Sequence, residues 1–194
     1  TNVTAELRDK MIERRKEIEK TRRLTAAEDR VYQAVLLDIG VGIDGGNVFY
    51  GNIGSDEHMA NTVIGDNVNS SSRLEGLTRI YHLPVIVSEY IKDEVENVST
   101  RYKFYEIDTV QVKGKTKGKK IYFPVDTYAQ SASIVIEKFD KFKDGLEAYY
   151  KGDWSKARKK FKDCDHDVCE VFLERMGRKS APAKWSGIWT MTTK

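Results

Sequence analysis

The segment TVIGDNVNSSSRLEGL, residues 62–77, contains the clearest fold signal because its periodicity changes within a few residues. The β-branched residues predict a short strand over 61–64, and Gly65 ends this strand. Asp66 is a plausible N-cap for a following helix. Apolar residues then recur at helical spacing, at Leu74, Leu77 and Tyr81. The segment therefore predicts a strand that leads directly into a helix.

Upstream of this segment, apolar runs from Val35 to Ile43 and from Val48 to Tyr50 flank a group of glycines. This pattern predicts two strands around a glycine turn. Residues 5–23 alternate in charge around a thin apolar stripe, which predicts a mostly solvated helix.

Downstream, the pattern predicts a strand over 85–87, a helix capped by Ser88, and a hairpin formed by 102–112 and 120–125. Strands and helices are thus mixed throughout this part of the chain. From residue 134 onward the apolar spacing becomes helical, which predicts a small helical tail.

Composition limits the possible functions. The 194 residues include 33 basic and 30 acidic residues, for a net charge of +3, so we expect no nucleic-acid partner. The two cysteines cannot form a disulfide framework. The sequence shows neither a signal peptide nor an apolar run long enough to span a bilayer. We therefore expect no direct membrane contact in this chain and a cytoplasmic location, with a membrane-anchored parent left open.

Asn69 and Arg73 form the most informative polar pair. Their i, i+4 spacing places them roughly 40° apart on one strip of a helix, so both can contact one ligand. Arg forms forked hydrogen bonds to phosphate oxygens and stays charged, which suits a reaction that builds charge on phosphorus. The alternative is that Arg73 forms a salt bridge with Glu75 or another acid nearby.

Two further stretches have a functional and a structural interpretation. The glycines between residues 42 and 54 permit close approach of a ligand, or they form a tight turn without one. The five lysines between 113 and 120 suit a polyphosphate as point charges, or they line a solvated hairpin turn.

Taken in order, these stretches resemble the second half of a bacterial-type class III adenylate/guanylate cyclase domain, over about residues 35 to 125. The resemblance implies an α+β, partial ferredoxin-like fold with a mixed, mainly antiparallel sheet, followed by a small helical tail. It divides the chain into the C-terminal half of a catalytic domain, 1–128, with its charged helix at 5–23, and a helical hairpin extension, 134–194. That extension resembles one tetratricopeptide-type unit.

The resemblance also implies a role for each matching residue. Asn69 would hold the ribose, and Arg73 would stabilise negative charge on the α-phosphoryl group. Thr62 falls at a base-contacting position of the adenine-selecting bacterial pattern. Lys113 or Lys115 would grip the polyphosphate, and the choice between them stays open. The implied reaction converts ATP to cyclic AMP and pyrophosphate; GTP as the substrate, or an inert regulatory module, are the alternatives.

In this family two metal ions, Mg or Mn, are held by aspartates of the first half of the domain. No matching segment precedes Val35. We therefore expect no metal ligands within this chain, and an isolated chain that is inactive. The family works as a dimer, so we expect a homodimer or another form of self-association, the latter because the strand near 36–43 would otherwise be a bare edge.

Three features depart from this pattern or compete with it. Asp44 stands where many relatives have His or Asn, and His58 where many have Arg. The segment from Asp163 to Glu170 contains thiol, imidazole and carboxylate groups, but its spacing gives only three nitrogen or sulfur ligands and lacks the glycine of a calcium loop. We interpret it as a polar connector between two tail helices.

Overall fold

The computed structural model describes residues 2–35, 39–55, 58–111 and 118–190. It divides into two compact units, 1–39 and 40–194. The first unit contains helices α1 (Asn2–Thr21) and α2 (Ala26–Val35). A capping box starts α2, because the Glu28 amide donates to Thr25 Oγ1 at 3.3 Å and the Thr25 amide donates to Glu28 Oε2 at 2.9 Å.

The second unit contains a five-stranded sheet, a separate two-stranded hairpin and five helices within the described residues. The strands are β1 (Val41–Ile43), β2 (Phe49–Ser55), β3 (His58–Ile64), β4 (Val85–Ser88), β5 (Tyr102–Gln111), β6 (Lys119–Asp126) and β7 (Trp189–Thr190). The helices are α3 (Asp66–Tyr81), α4 (Glu89–Val98), α5 (Ala132–Tyr150), α6 (Trp154–Cys164) and α7 (Asp167–Met176).

The strand order in the larger sheet is β1-β4-β6-β5-β7. The pairs β4–β6 and β5–β6 are antiparallel, whereas β1–β4 and β5–β7 are parallel. Strands β2 and β3 form the antiparallel hairpin. The predicted α+β class, with a mixed, mainly antiparallel sheet followed by helices, is confirmed.

The strand predicted from Val35 to Ile43 is corrected at its start. Val35 ends α2, and strand pairing begins only at Val41; residues 36–38 lie outside the described part of the chain. An apolar run is compatible with either a buried helix or a strand, and in this structure its two ends belong to one of each.

The helices after residue 131 share one hydrophobic core with the sheet. Ile107 and Ile121 of the sheet belong to the same buried cluster as Phe139, Phe142 and Phe172 of α5 and α7. The division of the chain into a catalytic part, 1–128, and an extension, 134–194, stays a prediction. None of the helices in the described ranges combines the length and apolar character that a bilayer crossing requires.

Candidate functional site

Helix α3 presents Asn69 and Arg73 to solvent on one strip, while Leu74 and Leu77 are buried on another face. Glu75 pairs with Arg79 and not with Arg73: the Arg79 guanidinium donates to Glu75 Oε1 at 2.6 Å. Within the described ranges, Arg73 makes no ion pair. The structure therefore excludes a salt bridge between Arg73 and Glu75 and leaves the Arg73 guanidinium available to a ligand.

The start of α3 differs from its prediction. Gly65 occupies the N-cap position in extended conformation, with no side-chain capping bond, and Asp66 is the first helical residue. The β3 strand runs to Ile64, so the chain turns into the helix through the glycine. A carboxylate in the first helical turn is favourable because the helix macrodipole is positive at this end.

Strand β1 ends against the first half of α3. The Asp44 amide donates to Ser71 Oγ at 3.0 Å, and Asp44 Oδ1 accepts from the Gly45 amide at 2.9 Å. Burial alone would raise the Asp44 pKa, but the nearby Ser70 and Ser88 hydroxyls together with the bond from the Gly45 amide outweigh it and lower the pKa. Asp44 is therefore ionised near neutral pH, beside the helix that carries Asn69.

The same end of the sheet leads to the lysine-rich segment. Ile43 pairs with Val87, Ser88 with Ile121, and Lys119 with Val110. The end of β1 therefore lies at the same end of the sheet as the end of β5 and the start of β6. The Lys119 charge lies close enough to Asp44 to contribute to its lowered pKa. Lys113 and Lys115, predicted to bind the polyphosphate, lie outside the described residues.

Thr62, the predicted base contact, is half-buried on β3 opposite Gly51 of β2. It lies three positions before Gly65, the N-cap of α3. His58 begins the same strand, exposed and paired with Ser55. The individual roles of Thr62, Asn69 and Arg73 stay predictions.

A buried polar cluster near the other end of α3 was not predicted. It consists of Tyr81, the last residue of α3, Asp108 of β5 and Arg175 of α7. Tyr81 Oη donates to Asp108 Oδ2 at 2.6 Å, and the Arg175 guanidinium donates to that same oxygen at 2.5 Å and to Tyr81 Oη at 2.7 Å. The only signal in the sequence is an aspartate within an otherwise strand-forming run.

The residues that would hold the metal ions of the resembled family stay a prediction. The described residues contain no group of three or more His, Cys, Asp or Glu side chains arranged to hold a metal. Between α6 and α7, His166 acts as an N-cap, its Nδ1 accepting from the Val168 amide at 3.2 Å, and the Cys164 thiol donates to the Lys138 carbonyl at 3.3 Å. These contacts match a connector between two helices.

Comparisons with known proteins identify a family for this chain. A family model described as the adenylate and guanylate cyclase catalytic domain matches residues 4–126. An adenylate cyclase from Anabaena cylindrica is 39% identical over 89 residues, which cover 44% of this chain and 17% of that protein. A terminal-differentiation-specific adenylate cyclase from Dictyostelium discoideum is 26% identical over 129 residues, 66% of this chain and 6% of that protein. The chain thus spans only a small part of the curated relatives it matches.

Among solved structures, the adenylyl cyclase CyaB from P. aeruginosa is similar at 25% sequence identity. The match covers 59% of this chain and 55% of that chain, with a TM-score of 0.40.

Proposed function

Because this chain belongs to the adenylate and guanylate cyclase catalytic domain family, we propose that it is part of an enzyme that converts ATP to cyclic AMP and pyrophosphate. In this reaction the ribose 3′ oxygen bonds to the α-phosphorus and its hydroxyl proton is lost. The bond from that phosphorus to the bridging oxygen breaks, and pyrophosphate leaves with the electron pair. The relatives named adenylate cyclases favour ATP; GTP is the alternative substrate.

The observation that carries the proposal is the state of Arg73. Its guanidinium is exposed, lies on the same strip of α3 as Asn69, and has no ion-pair partner in the described part of the chain. Arg79, six residues further along the same helix, forms an ion pair with Glu75. A charged guanidinium whose N–H donors are available to a ligand suits an α-phosphoryl group, because the oxygens of that group gain negative charge during the attack.

The other predicted contacts complete the proposed site. Asn69 would hold the ribose, Thr62 would contact the base, and Lys113 or Lys115 would bind the polyphosphate. Mg or Mn ions, when bound by carboxylates outside this chain, would neutralise the triphosphate and activate the hydroxyl.

A homodimer is the proposed working form. The β2–β3 hairpin exposes large apolar side chains: Phe49 is 80% exposed, Tyr50 73% and Met59 62%. An exposed apolar surface of this kind is typical of a protein contact. Strand β1 is also an edge strand of the larger sheet, with one side unpaired in the described ranges.

The proposal is tested by Arg73→Ala in the full-length protein, with Arg79→Ala on the same helix as the matched control. Removing one donor to transition-state charge typically lowers kcat by about 100-fold or more. We expect such a loss for Arg73→Ala, a smaller change in KM for ATP, and near wild-type kinetics for Arg79→Ala. Equal activity of the two variants would contradict the proposed role of Arg73.

The proposed inactivity of this chain alone needs a separate assay. The 194-residue chain is incubated with ATP and Mn, and cyclic AMP is measured against the full-length protein under the same conditions. We expect product only from the full-length protein. Robust production by the chain itself would mean that it supplies its own metal ligands.

A further inference from the structure

The buried cluster of Tyr81, Asp108 and Arg175 joins three separate elements at one point. Tyr81 and Asp108 are fully buried, and the Arg175 side chain is 8% exposed. The Thr109 amide occupies the second Asp108 oxygen, Oδ1, at 2.8 Å. Each polar group of the cluster therefore has a partner, as buried polar groups require.

The contacts of Arg175 require an arginine and would not be reproduced by a lysine. The Arg175 guanidinium contacts Asp108 and Tyr81 at once. The guanidinium carbon, Cζ, also lies 5.2 Å from the centre of the Tyr81 ring, 5.1 Å from that of Phe172 and 5.2 Å from that of Trp189. A planar, delocalised cation with several fixed donors makes such contacts, whereas a lysine ammonium does not reproduce this geometry.

The cluster joins α3, which carries Arg73, to β5, the strand that precedes the predicted phosphate-binding lysines. Tyr81 ends α3, and Arg73 lies eight residues earlier on the same rigid helix, about 12 Å along its axis at about 1.5 Å per residue. Asp108 lies three residues before the end of β5, after which the chain continues to positions 113 and 115. Strand β5 also shifts register between Glu106 and Asp108, an irregularity that redirects side chains.

We propose that Arg175 of the C-terminal helices is a positioning residue for the cyclase site. By clamping the end of α3 to β5, it sets where Asn69 and Arg73 stand relative to the sheet. The C-terminal helices then act on catalysis through α3 without contacting the nucleotide. The proposal rests on the proposed function, and its first test does not depend on activity.

The first test is hydrogen exchange of the α3 amides in the 194-residue chain, comparing Arg175→Lys with Arg178→Lys. Arg178 is exposed just beyond α7, so its variant makes the same chemical change outside the cluster. We expect Arg175→Lys to speed exchange along α3 as far as residues 69–73, by about tenfold or more, and Arg178→Lys to leave it unchanged. Altered exchange confined to α7, or none at all, would overturn the proposal.

The second test separates positioning from mere stability in the full-length protein. The apolar triple variant Arg175→Met, Asp108→Leu and Tyr81→Phe removes both charges and also the buried hydroxyl that they would leave without a partner, a replacement that often preserves stability. We expect it to unfold at about the wild-type temperature, yet to lower kcat by about tenfold with little change in KM. A stable triple variant with wild-type kcat would show that the cluster only supports the fold.

A failure of the proposed cyclase function can be told apart from a failure of the proposed role of Arg175. If the wild-type full-length protein makes no cyclic nucleotide, the proposed function is wrong, and the exchange experiment alone decides whether Arg175 fixes α3. If the triple variant does not fold, kcat of the folded Arg175→Lys variant is measured instead. A tenfold loss of kcat supports the proposal, and a wild-type kcat overturns it.

Discussion

Gly42 of β1 faces the backbone of Ser71 in α3 so closely that a Cβ atom on the glycine would lie 2.3 Å from the Ser71 carbonyl oxygen. The same atom would lie 2.2 Å from the Glu75 amide nitrogen. Strand and helix therefore meet at backbone contact, on the helix that carries Asn69 and Arg73. Atoms of a helical backbone cannot rotate away as a flexible side chain can, so this position excludes any larger residue.

Gly42→Ala should destabilise the protein, because the added methyl group meets main-chain atoms on the helix. Overpacking of this kind typically costs about 1–3 kcal/mol and can cost more. The measurement is the free energy of unfolding in urea. Gly51→Ala in β2 is the control, since a Cβ there meets nothing within 4 Å; equal effects of the two variants would contradict the close contact.

Gly76→Ala should stabilise α3. Gly76 lies inside the helix, and a Cβ there meets nothing within 4 Å, so alanine adds helix propensity without a clash. The expected gain is about 0.5–1 kcal/mol in the free energy of unfolding. The matched variant is Gly145→Ala in α5, where the new Cβ would lie 2.7 Å from a ring carbon of Phe161 and should destabilise the chain. A loss of stability in Gly76→Ala would show an unseen contact at that position.

Phe49→Ser should weaken self-association of the full-length protein. Phe49 is 80% exposed on the β2–β3 hairpin, so its loss removes apolar contact area without opening the core. Sedimentation velocity over a concentration series measures the dimer dissociation constant, which we expect to rise by about tenfold or more. The control is Ile134→Ser, an exposed apolar residue on α5 at 62% exposure. An unchanged constant for Phe49→Ser would remove the hairpin from the proposed interface.

His166 should make stability depend on pH below neutrality. Burial lowers the His166 pKa below its usual 6.5, and the neutral ring is also the one that accepts from the Val168 amide. The unfolded chain thus binds a proton first as the pH falls, so the stability present above pH 6.5 is lost progressively below it. Unfolding curves between neutral and mildly acidic pH should show this loss.

His166→Asn should flatten this slope, because asparagine caps a helix without titrating. His58→Asn is the control: His58 is exposed at the start of β3 and is not among the groups whose charge acts on His166, so this variant should keep the wild-type slope. If His166→Asn and the wild type lose stability in parallel, another group is responsible.

The local pattern predicted the strand–helix unit around residues 61–81, the helix capped by Ser88 and the β5–β6 hairpin, because each is set by periodicity and turn residues within a short window. The clamp between Asp108 and Arg175 could not be predicted, since its members are 67 positions apart and nothing local marks them as partners. The pairing of β7 with β5 escaped prediction for the same reason: Trp189 meets Val110 only after three intervening helices have folded back.

The parts of the site differ in the same way. The exposure of Asn69 and Arg73 followed from the buried spacing of Leu74 and Leu77, which leaves the i, i+4 pair on another strip of the helix. Whether Arg73 pairs with an acid brought near it by the fold was not predictable from local spacing, because Glu75, two residues away, lies on a different face of the helix. The structure shows that Glu75 pairs with Arg79.

The shared core also gives the protein a built-in spectroscopic reporter. Its three tryptophans, Trp154, Trp185 and Trp189, all lie after residue 150, and Trp154 stacks on Tyr149 with ring centroids 5.8 Å apart. Their emission reports on the C-terminal part of the chain, after residue 150, whereas far-ultraviolet circular dichroism reports on helices and strands along the whole chain. The sheet and the C-terminal helices share one buried hydrophobic cluster, so unfolding of the helices should expose the apolar face of the sheet to water. Fluorescence and circular dichroism should therefore change together as the second unit unfolds.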